Sequence, residues 1–173
     1  MQSPVLRCSQ HLRSNQEMGK AAVIAALIAQ LEKRVEASRQ ASLDAASYAT
    51  DAESKADSKW DTQGLEASYL AAGQATQAKE TAVALQRLHA ERDVLGQPLR
   101  IVEFGALIQV SFGGEMDRYF IAPVGGGEVV EIEEEKVTVL TPQSPLFDTL
   151  KGKVAGTEFA LPSGVRVKVV SIG

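Results

Sequence analysis

The first half of the chain carries apolar or small residues at every third or fourth position, the spacing of one helix face. This first stripe consists of Ile24, Ile28, Leu31, Val35, Ser38, Ser42, Ala45 and Ala49. A second stripe consists of Ser68, Ala71, Ala75, Ala78, Ala82 and Leu85. Because the large side chains lie at the far ends and the small ones near the connecting segment, the pattern predicts an antiparallel helical hairpin with a thick base and a slim tip. A compact helical bundle or a coiled-coil dimer is the alternative.

The second half alternates apolar and polar residues, which is the period of a β-strand. The predicted strands are Ala106–Phe112, Arg118–Ala122, Val129–Ile132, Lys136–Leu140, Glu158–Leu161 and Val165–Ser171. Glycine-containing turns separate them, and Glu131, Glu133, Glu134 and Glu135 lie in or beside one strand turn. A short helix is predicted over Pro145–Leu150, with Ser144 as its N-cap. The second half is therefore predicted to be a small antiparallel sheet with one short helix, which makes the chain α+β.

Proline and phenylalanine divide the chain in the same way. No proline lies between Pro4 and Pro98, and all five phenylalanines lie at or after Phe104. Gly96 and Pro98 have the spacing of a helix C-terminus. We therefore predict a helical hairpin over 18–95 with its tip at about 51–64, a linker at 96–100 and a β domain over 101–173. Residues 1–17 are expected to be a disordered extension, and Met18 is a candidate start codon.

The composition argues against several function classes. The net charge of -4 does not favour direct binding of nucleic acid. The single cysteine, Cys8, excludes an internal disulfide framework and suits a reducing compartment, so a cytoplasmic location is expected. No apolar run reaches the ~18–20 residues of a membrane span, and Ala21–Leu31 lacks the cleavage pattern of a secretory signal. No catalytic signature is present, and His11 and His89 are expected to be solvated, so no activity of the chain's own is predicted.

The predicted tip is rich in carboxylates. Five of them, Asp51, Glu53, Asp57, Asp61 and Glu66, accompany only Lys55 and Lys59, a local charge of -3. Such residues cap helices and keep an exposed turn soluble. They can also offer oxygen ligands to a divalent cation that lies outside the protein. Composition alone favours the first interpretation and leaves the second open.

Two stretches resemble the Gre transcript-cleavage factors. Leu140–Ile172 is similar to their C-terminal domain, which has an FKBP-like fold and an S-P-L…L-x-G-K…G motif. The matching residues are Ser144, Pro145, Leu146, Leu150, Gly152, Lys153 and Gly156. Leu65–Gln74 resembles the start of the second helix of that family, through Ala67, Tyr69, Ala71 and Ala72. The resemblance covers about residues 18–172 and implies a helical coiled-coil hairpin followed by an FKBP-like domain.

The resemblance implies a bacterial transcription elongation factor. Its partner would be RNA polymerase, which the C-terminal domain would contact, Ser144, Pro145 and Leu146 being plausible docking residues. The hairpin would enter the secondary channel and contact the nascent RNA indirectly. The protein would act as a monomer, would bind no cofactor stably and would not associate with a membrane.

The resemblance also implies a role for the tip. Carboxylates there, Asp61 first and then Asp57 and Glu66, would help to hold a Mg²⁺ shared with the polymerase active site, so that the polymerase cleaves backtracked RNA. Trp60 would contact the channel wall or pack on its own hairpin.

The chain departs from the Gre pattern at three positions. The slots of the two tip carboxylates of the family fall on Thr62 and Leu65, and its basic contact position in the second helix falls on Gly73. A second hypothesis is therefore a secondary-channel regulator that does not stimulate cleavage. A third is an FKBP-like prolyl isomerase or chaperone, whose site would draw on Phe104, Phe112, Tyr119, Phe120, Phe147 and Phe159.

Overall fold

The computed structural model describes residues 19–54 and 63–173. Helix α1 covers Lys20–Ser54 and helix α2 covers Gln63–Leu95. Six strands follow, with the short helix α3 at Pro145–Leu150 between the fourth and the fifth. The predicted α+β class is confirmed. The predicted extension at 1–17 and Met18 lie outside the described residues.

The helix ends follow the signals in the sequence. The carbonyl of Gly19 accepts hydrogen bonds from the backbone N–H groups of Ala22 and Val23 at the start of α1. At the end of α2, the N–H of Gly96 donates to the carbonyl of Arg92. Helix α2 therefore ends where the glycine and the following proline predict. None of the described helices is long and apolar enough to cross a membrane.

The strands are β1 (Leu107–Phe112), β2 (Glu115–Ile121), β3 (Val129–Ile132), β4 (Glu135–Leu140), β5 (Glu158–Ala160) and β6 (Arg166–Ile172). They form one six-stranded sheet in the order β3-β4-β2-β1-β6-β5. The pair β2–β4 is parallel, whereas the sequence predicted an antiparallel sheet. Residues 122–128 lead the chain to an outer strand position, and the β3–β4 hairpin then sets β4 into the gap beside β2. The sheet is therefore mixed.

Helix α3 covers one face of this sheet. Its buried residues Phe147 and Leu150 belong to the same core cluster as Ile108, Val110 and Val169 of strands β1 and β6. Ser144 occupies the predicted N-cap position with extended backbone angles, but its hydroxyl makes no capping hydrogen bond. Its carbonyl accepts the N–H of Asp148 instead.

The described chain divides into two compact units. One unit is Ala29–Gln86, and the other contains the chain through Ile28 together with Arg87–Gly173. In the second unit, a Cβ added to Gly105 would lie 3.4 Å from the Cα of Leu95, and one added to Gly125 would lie 3.3 Å from Cδ1 of Leu27. The bases of both helices therefore pack closely against loops of the β domain.

A lysine joins the two helix bases. Lys20 is buried and its Nζ donates to the carbonyl of Gln97, just after α2. Burial lowers the pKa of this amine, and the carboxylate of Glu103 partly offsets the effect.

Candidate functional site

The stripe predicted on α1 is the buried face of that helix. Its most buried members are Ile24, Ile28, Leu31, Ser38 and Ala45, while Val35 and Ser42 are half-buried. The spacing alternates between three and four residues, which is the heptad period of a coiled coil. The side chain of Ala49 lies outside the described part of the chain.

The stripe predicted on α2 needs a correction. Between Ala67 and Leu88, its buried and half-buried residues are Ala67, Ala71, Gln74, Ala78, Thr81, Ala82, Ala84, Leu85 and Leu88, and the predicted Ser68 and Ala75 are exposed. The seam accepts Gln74 and Thr81 because half-buried polar residues can turn their ends to water. Alanine and serine are so frequent in this segment that two neighbouring stripes have nearly the same composition.

The two helices contact each other through small residues. The hydroxyl of Ser42 donates to the carbonyl of Ala71 on α2, at 3.0 Å. Ser38, one turn earlier, is only 7% exposed. Because small side chains allow the closest approach of two helices, the compact unit Ala29–Gln86 contains a slim two-helix section.

Of the five predicted tip carboxylates, Asp51 and Glu53 fall at the C-terminal end of α1 and Glu66 falls at the start of α2. Glu66 lies in the first turn of α2 and is exposed. A carboxylate in this turn interacts favourably with the positive end of the helix dipole. Asp57, Asp61 and the predicted contact residue Trp60 lie outside the described residues. Among the residues that are described, no three His, Cys, Asp or Glu side chains are grouped so that they could hold a metal ion.

A shallow depression of about 380 Å³ lies beside Glu66. Tyr48, Ala67 and Leu70 line it together with Glu66. Tyr48 is 55% exposed and Leu70 is 58% exposed. Neither residue was predicted to belong to a site, although their positions outside the seam mark both as surface residues.

Leu65 and Tyr69 add to the exposed apolar surface at the start of α2. They lie four residues apart, on one side of the helix, and are 56% and 71% exposed. Leu65 is one of the two positions at which the sequence analysis expected a Gre factor to carry a carboxylate, and here its apolar side chain is exposed. Gly73 is also exposed, and nothing lies within 4 Å of the position that a Cβ would take.

The predicted docking residues lie at the start of α3. Pro145 is exposed, while Ser144 and Leu146 are half-buried. Leu146 packs against the core cluster of the sheet. The segment therefore presents one proline ring and a partly covered leucine at the surface of the β domain.

The aromatic residues considered for an isomerase site are partly used by the core. Phe120 and Phe147 are buried, and Phe112 meets Tyr119 edge to face with 6.3 Å between the ring centroids. Burial raises the pKa of Tyr119 to about 12, and the carboxylate of Asp117 adds to the shift. The Nζ of Lys153 lies 4.4 Å from the ring centroid of Phe159.

Comparison with known proteins gives matches among solved structures. No family model matches the chain, and no curated protein matches it significantly. The crystal structure of GreA factor homolog 1 (Gfh1) of Thermus thermophilus is 20% identical, with coverage of 86% of this chain and 95% of that one and a TM-score of 0.31. Thermus aquaticus Gfh1 is 22% identical, with coverage of 86% and 94% and a TM-score of 0.30. A further structure of the transcription factor Gfh1 is 20% identical, with coverage of 85% and 93% and a TM-score of 0.33.

Proposed function

We propose that this protein is a transcription factor of Gre type that binds RNA polymerase. Its β domain docks on the polymerase through Ser144, Pro145 and Leu146, and its helical hairpin enters the secondary channel. The tip then promotes cleavage of backtracked RNA by the active site of the polymerase. The chain supplies no catalytic residue of its own in this scheme.

The seam between the two helices is the observation that carries the proposal. Helix α1 has 35 residues and α2 has 33, so each is about 50 Å long at a rise of 1.5 Å per residue. Small residues at Ser42, Ala45, Ala67 and Ala71 keep the paired section slim. A slim pair of long helices suits entry into a narrow channel, and a compact core would need much shorter ones.

The carboxylates of Asp57, Asp61 and Glu66 give this hairpin a chemical role in the proposal. A carboxylate that reaches the polymerase site can supply one or two oxygen ligands to a Mg²⁺ that keeps open water positions. That ion would activate water for hydrolysis of the phosphodiester bond, as in other two-metal sites.

The proposal is tested with purified protein and a stalled, backtracked elongation complex. The protein is expected to shorten the RNA from its 3′ end in the presence of Mg²⁺. The double variant Asp57→Asn/Asp61→Asn is expected to abolish the shortening, and Glu66→Gln to weaken it, while polymerase binding persists. Asp44→Asn is the matched control, because Asp44 is an exposed hairpin carboxylate that accepts a hydrogen bond from Gln40 and an amide oxygen can replace it.

A second candidate function, a channel regulator that does not stimulate cleavage, is favoured by the exposed Leu65. In this case the protein binds the polymerase and blocks a cleavage factor, but leaves backtracked RNA uncut at any Mg²⁺ concentration. Leu65→Glu is then the informative variant, since it returns a carboxylate to the slot that the Gre pattern fills. Absence of binding to the polymerase would refute both functions.

A further inference from the structure

A trough of about 720 Å³ lies on the β domain beside strand β5, between the β1–β2 turn and the β5–β6 turn. Its lining includes Ser111, Glu158, Ala160, Arg166 and Lys168. These residues alternate along β1, β5 and β6 with residues that pack against the core cluster under α3. They therefore lie on the opposite face of the sheet from α3.

Strand β5 is an end strand of the sheet, so one side of its backbone has no strand partner. The carbonyl of Thr157 accepts the N–H of Val169, and the N–H of Leu161 donates to the carbonyl of Val165. Backbone groups alternate between the two sides of a strand in an antiparallel ladder. The N–H and C=O groups of Glu158 and Ala160 therefore point away from β6, where an extended peptide could bond to them.

The two cations in the trough differ in their surroundings. Lys168 lies directly across from Glu158, and its Nζ is 2.8 Å from the carboxylate of that residue. Arg166 lies across from Ala160. Its guanidinium forms no ion pair within 4 Å among the described residues and feels Glu158 only at longer range. One unmatched positive charge thus remains in the trough.

The small side chain of Ala160 leaves Arg166 a path to the sheet edge. Neighbouring strands are only about 4.8 Å apart, so an arginine side chain spans one strand. Beyond Ala160, the ladder ends at Pro162, which has no N–H to donate. The edge therefore offers a short stretch of backbone pairing with a guanidinium at one defined position.

We propose that this edge binds an extended acidic peptide of a protein partner as an added strand. An Asp or Glu side chain of the peptide, opposite Ala160, pairs with Arg166. A peptide fits better than a nucleic acid, because the edge offers backbone hydrogen bonds, whereas phosphate binding needs several clustered cations and the trough has two, one of them paired with Glu158. This inference does not rest on the function proposed above, and its test needs no polymerase.

The test is a titration of the ¹⁵N-labelled full chain with the capped peptide TVEVEVT, followed by NMR. The amide signals of Glu158 and Ala160 are expected to shift most. The lysine counterpart TVKVKVT is expected to bind about tenfold more weakly, the effect of one charge-assisted contact.

Variants distinguish the contribution of backbone pairing at β5 from that of the charge on Arg166. Arg166→Glu is expected to reverse the preference toward TVKVKVT, and Arg166→Gln to abolish the preference without reversing it. Ala160→Pro removes one N–H group that points away from β6 and is expected to weaken the binding of both peptides. Lys136→Glu makes the same kind of charge change on β4, toward the other end of the sheet, and is expected to leave binding unchanged.

Several results would overturn the inference. These are the absence of shifts at millimolar peptide, equal affinity for the two peptides, and shifts centred outside β5 and its two turns. Preferential binding of a single-stranded oligonucleotide at the same amides would also overturn it, since it would identify the trough as a phosphate site.

Discussion

The turn between β3 and β4 holds two glutamates in an unusual backbone conformation. Glu133 and Glu134 have φ values of 49° and 71°, and Ile132 pairs with Glu135 across the loop. Two positive φ values in a two-residue hairpin loop define a type I′ turn, which prefers Asn-Gly. We predict that the double variant Glu133→Asn/Glu134→Gly is more stable than the parent.

The expected gain is about 1 to 2 kcal/mol. A residue with a Cβ costs about 1–2 kcal/mol in the left-handed region. Asparagine tolerates this region well, and glycine removes the cost at an entropic penalty of about 0.5–1 kcal/mol. Loss of two of the four carboxylates near the turn adds a smaller gain that salt removes.

Urea unfolding, followed by the amide NMR signals of β3 and β4, measures the change. With a slope of about 2 kcal/mol per molar urea, the midpoint should rise by about 0.5–1 M. The matched control is Glu133→Gln/Glu134→Gln, which removes the same two charges and keeps both Cβ atoms in place. In 1 M salt the control should match the parent, while the Asn-Gly variant stays more stable.

The explanation is refuted if both double variants unfold at the same urea concentration. It is also refuted if the Asn-Gly variant is the less stable of the two, because the gain must then come from charge alone or be absent.

Three further predictions concern other parts of the molecule. Tyr119→Phe should remove the late step of an absorbance titration of tyrosine at 295 nm and reduce the loss of folding stability at alkaline pH, and an unchanged late step would contradict the assignment. Because the pKa of Tyr119 is raised from 10.0 to about 12 in the folded state, its contribution to stability is complete below pH 10 and is lost as the pH rises through about 12. Gly126→Ala should cost about 1–3 kcal/mol of unfolding free energy, since its Cβ would lie 2.9 Å from Cγ2 of Thr141, and Thr141→Ser should restore part of it in a double-mutant cycle; simple additivity would disprove the clash. Ala67→Leu should overpack the helical seam and speed amide hydrogen exchange in α2, whereas the exposed Ala72→Leu should not, and equal exchange in the two variants would place Ala67 outside the seam.

The sequence predicted the buried face of α1 more accurately than that of α2. On α1, the large apolar residues Ile24, Ile28 and Leu31 show which face of the helix is buried, and the small residues on the same face continue it along the helix. On α2, the large residues at the start, Leu65, Tyr69 and Leu70, are exposed, and large buried residues come only near the end, so alanine and serine had to define the buried face in between. Small residues differ too little in hydrophobicity to separate two neighbouring faces.

The sheet shows the same division between local and long-range information. Strand positions were predicted to within a few residues because alternation and glycine-containing turns are local signals. The parallel pairing of β2 with β4 depends on which strand pairs with the side of β2 that β1 leaves open, and no local pattern encodes that choice. The left-handed conformation of Glu133 and Glu134 was also missed, since glutamate gives no signal for it.

For the candidate site, the sequence placed Glu66 at an exposed turn, and Glu66 is exposed in the structure. The sequence did not identify Tyr48 and Leu70 as a surface beside that residue, because spacing marks a side chain as exposed but does not show which exposed side chains of two helices lie together. The role of Asp57 and Asp61 remains a prediction that depends on the resemblance to Gre factors.

The order of strands has a consequence for how the chain folds during synthesis. Strand β6 lies between β1 and β5, so β1 has a partner on one side only until β6 has left the ribosome. A nascent chain that has already made β1 and β2 would therefore expose an open strand and an uncovered apolar face. Completion of this sheet must wait for its last-translated strand, and a chaperone that shields β1 in the interval would be expected to raise the yield of native protein.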